Sequence, residues 1–73
     1  ANEGQLDLAR SLLQQAIIAH PNYVTAYENL GDVYVALAAE AYQRALKLDP
    51  NNRNAQTKLT LAREISAKLR AVR

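Results

Sequence analysis

The chain has 73 residues, 36 of them apolar; fourteen of those are Ala and eleven are Leu, and there is no Phe, Trp or Met. It can hold one small domain with a thin core. The absence of Cys excludes disulfides and thiolate chemistry, no apolar run approaches the roughly 20 residues that span a bilayer, and a formal net charge of +2 is too small to mark a partner class by itself.

With two Gly, two Pro and no alternating Val, Ile or Thr runs, the chain is expected to be all-α. A first helix is expected over about 4–19. It ends before Pro21, because proline pushes the preceding residue out of the α region. His20 stands at that end, where it can cap carbonyls. The first segment reads Ala9-x3-Leu13-x2-Ala16-x4-Pro21, and the same spacing returns as Ala38-x3-Tyr42-x2-Ala45-x4-Pro50, offset by 29 residues. Small residues at these steps let a neighbouring helix approach, and the bulky one fills the gap between helices. Asn follows each Pro as a candidate cap for the next helix.

Between the two copies stands Tyr27-x2-Leu30-Gly31-x2-Tyr34. With Ala38, Tyr42, Ala45 and Pro50 behind it, this run resembles the tetratricopeptide repeat (TPR). Upstream, Gly4, Ala9, Leu13, Ala16 and Pro21 resemble the second half of a preceding repeat. Downstream, Leu59 fits the first helix of a following one. The resemblance covers nearly the whole chain. It implies one TPR-like domain: residues 1–22 as the second half of a repeat, 23–52 as a repeat, and 53–73 as a C-terminal capping helix. A chain that begins inside a repeat is expected to be part of a longer protein, and the style of the repeat resembles bacterial members of the family.

One departure from the pattern is informative. A TPR has 34 residues, yet the two Pro here lie 29 apart, and the spacing places the loss between Tyr34 and Ala38. The two helices of a hairpin should be joined there, but Asp32 to Tyr42 contains no Gly, Pro, Asn or Ser to make a turn. Ala and Leu favour helix through this stretch, and Glu40 and Arg44 add an i,i+4 pair. The local reading is one unbroken helix over 24–48, roughly 37 Å long. The competing reading is a tight, Ala-lined hairpin with both helices trimmed. A fused helix cannot fold back on itself, so its halves need other partners. Loss of a hinge turn then predicts a domain-swapped homodimer, with Tyr34, Leu37, Ala38, Ala41 and Tyr42 as candidate self-association residues.

The third helix is expected over about 53–71, capped by Asn51 or Asn52. Ala55, Leu59, Ala62, Ile65, Leu69 and Val72 make an apolar stripe at three- and four-residue steps. Lys58 interrupts it, so its stem either lies along the surface or faces a groove. Thr60 and Arg63 replace residues of the repeat pattern, which suits a solvated helix at the end of an array. Residues 53–73 hold six basic and one acidic side chain, against three basic and six acidic in 1–52. That asymmetry suits an acidic partner or head-to-tail attraction between copies.

Chemistry is sparse. His20 is the single histidine, and no metal-ligand pattern exists. The carboxylates form no acid–base pair, two isolated Gly cannot cradle a phosphate, and Ser11 and Ser66 have no base nearby in sequence. No catalytic residue, metal or cofactor is expected, and the chain is not read as an enzyme. Tyr27, Tyr34 and Tyr42 fall at repeat packing positions and are expected in the core, with Tyr23 exposed. The tyrosines lie in the acidic half and the cations in the last helix, which argues against stacking on nucleic acid. The Ala-rich stripe argues against a membrane surface.

The resemblance implies peptide or protein binding on a concave surface. The positions it points to are Thr25, Glu28, Asn29, Asp32 and Val35, with Asn54 and Lys58 on the third helix; Asn29 and Lys58 match positions that clamp a peptide carboxylate in some TPRs. Two functions stay open: a self-associating assembly module, and a monomeric adaptor that holds a peptide in its groove. The compartment is not legible.

Overall fold

The computed structural model describes residues 2–72. Three helices run in order: α1 (Asn2–Ala19), α2 (Val24–Leu48) and α3 (Arg53–Ala71). No strand occurs among the described residues. Ala1 and Arg73, which the sequence reading includes in its domain, lie outside them. The middle helix is continuous over 25 residues, so the stretch without a turn signal does not turn. The bounds of α2 and α3 coincide with the sequence expectation, and α1 starts two residues earlier than Gly4. A glycine in the first turn does little harm there, because the first N–H groups of a helix lack intrahelical partners in any case.

The two interhelical corners repeat one another. At the first, His20 N–H donates to the Ala16 carbonyl (2.8 Å) and Tyr23 N–H to the His20 carbonyl (3.0 Å). At the second, Asp49 N–H donates to the Ala45 carbonyl (2.9 Å) and Asn52 N–H to the Asp49 carbonyl (3.1 Å). Proline cannot donate, and in each corner its carbonyl is bound by the side chain six residues on. The Tyr27 hydroxyl donates to Pro21 O (3.1 Å) and Gln56 Nε2 to Pro50 O (2.9 Å). The offset of 29 residues seen in the sequence is thus an offset of hydrogen bonds. At the start of α3, Asn52 is the cap: its Oδ1 accepts from Ala55 N at 3.0 Å with the backbone extended. Asn51 instead donates its N–H to Asp49 Oδ1 (3.2 Å), closing an Asx turn.

The chain forms two units, Ala1–Tyr34 and Val35–Arg73, and their boundary falls inside α2. Each unit is a helical hairpin with a short connector. In the first, α1 packs on the opening residues of α2. Ala26 is 1% exposed there, and Ala9, Leu13, Ala16, Leu30 and Val33 of the same unit are half-buried. In the second, the rest of α2 packs on α3, where Ala55, Leu59 and Ala62 are buried and Tyr42, Ala45, Leu46 and Leu69 are half-buried.

These four residues are the only ones buried in the described chain, and none of them is larger than Leu. The expected tyrosine core is therefore corrected: Tyr27 is 50% and Tyr34 46% exposed, and only Tyr42 is half-buried. Tyr23 is exposed, as its place off the motif implies. The α3 stripe is corrected in the same sense, since Ile65 and Val72 are exposed while its first three members are buried. Within each unit a helix meets one neighbour, and one neighbour covers one face.

The caps should dominate local stability. Asn52→Ala should lower unfolding free energy by about 0.5–2 kcal/mol in urea titration, and Asn52→Asp should restore most of it. Tyr27→Phe should cost about 0.5–1 kcal/mol, the worth of one exposed corner hydrogen bond.

Candidate interaction surfaces

Thr25, Glu28, Asn29 and Asp32 recur at i, i+3, i+4 and i+7, which places them on one face of α2. All four are exposed. Val35 is half-buried and opens the second unit. Asn54 and Lys58 stand one turn apart on α3, both exposed. The candidate peptide-binding set is thus divided: four positions belong to the first unit and three to the second, with Asn29 in one and Lys58 in the other.

Within the second unit the structure gathers a groove. It encloses about 200 Å³ and is lined by Val35, Ala38 and Tyr42 of α2 and by Lys58, Leu61, Ala62 and Ile65 of α3. Six of these seven are apolar or aromatic, so the groove favours an apolar occupant, and Lys58 supplies its single charge. Lys58, which interrupts the sequence stripe, stands at this groove. Leu61 was missed by the sequence reading, which placed Ile65 on the apolar stripe of α3. The signal was available: Lys58, Leu61, Ala62 and Ile65 form a second stripe at three- and four-residue steps beside the first.

The candidate self-association residues fall along α2. Tyr34 is exposed, and its hydroxyl oxygen accepts from Gln14 Nε2 at 3.3 Å. Leu37, Ala38 and Tyr42 are half-buried, and Ala41 is exposed. Ala38 and Tyr42 also line the groove. Between Tyr27 and Tyr34 lies Gly31. It has no positive φ, and a Cβ built on it would meet nothing within 4 Å.

Polar chemistry beyond this is thin. The Arg10–Asp7 ion pair (3.4 Å) lies on the surface one turn apart along α1 and is worth little. Among the described residues no group of three or more His, Asp or Glu gathers to hold a metal ion. None of the described helices is long and apolar enough to cross a membrane.

No protein-family model matches the chain, and no solved structure gives a significant match. Curated relatives do match. A chloroplastic tetratricopeptide repeat domain-containing protein of Arabidopsis thaliana, PYG7, is 39% identical over 59 residues, covering 74% of this chain and 20% of that protein. The protein O-mannosyl-transferase TMTC3 is 40% identical over 57 residues in both human and mouse, covering 71% of this chain and 6% of the enzyme. The chain spans only a fifth or less of the relatives it matches. Its three helices and its repeated corners accompany a sequence relationship to a tetratricopeptide repeat protein.

Proposed function

We propose that this chain is a non-enzymatic protein-interaction module of TPR type that pairs with a second copy of itself, as a domain-swapped homodimer through the fused helix α2. The observation that carries this reading is the continuity of Val24–Leu48 across the point where a 34-residue repeat would turn back. In a repeat hairpin the two helices cover each other's apolar faces. Here both occupy one rod, and each half lacks the neighbour that the other would have supplied.

A further observation supports the reading: Tyr27 and Tyr34, which fall at packing positions of the repeat pattern, are about half exposed.

The second reading is a monomeric adaptor that holds a peptide in a groove. Lys58 favours it, as a cation beside apolar walls that would attract a carboxylate. The dimer is preferred because it accounts for the missing turn and the exposed tyrosines together.

Light scattering coupled to gel filtration decides between them. The dimer reading predicts about 16 kDa, persisting over a hundredfold dilution. Inserting a five-residue turn containing Gly-Asn after Leu37 should convert the protein to a monomer. A native chain that stays at 8.1 kDa throughout would overturn the self-association and leave the adaptor.

A further inference from the structure

We infer that the acidic opening turns of α2 in one copy, with Val24, Glu28 and Asp32, dock at the groove of the second unit in another copy, Glu28 lying against Lys58. This rests on the self-association proposed above and names the two surfaces that meet.

Charge is divided between the units. Residues 1–34 hold one basic and four acidic side chains, and residues 35–73 hold eight basic and three acidic. The base of the first unit, Arg10, is taken by Asp7 at 3.4 Å. Glu28 and Asp32 are exposed and stand one turn apart on α2, where like charges repel. Their own unit has no second base to set beside them. On α3 the converse holds. Arg53, Lys58, Arg63, Lys68 and Arg70 stand there against Glu64 alone, and all six are exposed.

Apolar groups accompany these charges at matching spacing. Val24 is 66% exposed and lies four residues before Glu28, on the same face of α2. Leu61 and Ile65 are about half exposed and lie three and seven residues after Lys58, on one face of α3. All three of these α3 residues line the groove, in which Lys58 is the one charged group. Each surface thus presents an apolar side chain one turn from a charge, and the two charges are opposite. A carboxylate brought to that ammonium gains a charge-assisted hydrogen bond, while the apolar walls take Val24.

Spacing decides which base is met. Glu28 and Asp32 lie about 6 Å apart along their helix, whereas Lys58 and Lys68 lie about 15 Å apart along theirs. Both acids therefore fall nearest to one base. Lys58 is that base, because it stands at the groove that takes Val24. Lys68 lies one turn beyond Ile65 on the same stripe and adds to the field that draws the acidic unit in.

Complementarity of charge makes the occupant a second copy. The groove calls for an acidic helix with an apolar residue one turn from its carboxylate. The chain carries that surface itself, on a unit that offers it no counter-charge. In the dimer the contact is made twice, Glu28 of each copy on the partner's Lys58, so the association is reciprocal.

Charge reversal reads the contact directly. Glu28→Lys and Lys58→Glu should each weaken the dimer at least tenfold in dilution experiments followed by light scattering, because each sets like charges together at both contacts. The two variants, unfolded in urea and refolded together in equal amounts, should pair with each other as tightly as the natural chain pairs with itself, since every contact of the mixed pair again sets acid against base. Recovery on mixing also shows that neither variant is misfolded. Variants that stay dimeric on dilution overturn the contact and leave the groove to a peptide carboxylate, while self-association stands. Variants that weaken and do not recover on mixing overturn it too, for then the two charges do not meet between copies. A natural chain that is monomeric at every concentration sinks the contact and the self-association together.

Discussion

A helix cannot cover its own faces, and this constraint governs the whole molecule. The backbone hydrogen bonds of α2 are satisfied along its own axis, so continuity costs nothing locally. Val35 to Ala39 contains only Val, Ala and Leu, with no residue that would favour a bend. The consequence appears at the level of packing. Each half of α2 finds one neighbour, α1 or α3, and the apolar side chains directed elsewhere stay wet. Four buried residues among those described, three of them Ala, are a thin core for a chain in which about half the residues are apolar.

The two interhelical corners share one pattern of hydrogen bonds. Both Pro carbonyls are bound by side chains six residues on, and both helices that follow start from extended or turn-forming residues.

Much of this was legible in the sequence because punctuation is local. Pro21 and Pro50 set the helix ends through sterics that need no tertiary context, and Asn52 caps α3 for the same reason. The 29-residue offset and the lack of a breaker between Tyr34 and Ala38 were enough to predict a continuous helix. Burial was less legible. Tyr27 and Tyr34 follow the packing positions of a repeat, but whether such positions are covered depends on a neighbour, and sequence pattern does not say which chain supplies it. Ile65 and Leu61 were misread for a related reason. Ala62 is buried and also lines the groove with Leu61 and Ile65, so only packing against α2 decides where on α3 the core ends and the groove begins. Lys58 marks the difference, since a charged residue beside a stripe points to the face that stays open.

The central claim is that Val24–Leu48 is one rod in solution. Spin labels at Thr25→Cys and Lys47→Cys, both exposed positions, test it by pulsed dipolar spectroscopy, with the labelled chain diluted in excess unlabelled protein so that only distances within one chain are read. A continuous helix places the two backbones about 33 Å apart. A hairpin turning near Ala38 would bring them to the spacing of packed helices, about 10 Å, and a distance in that range would contradict the fused helix and the dimer built upon it.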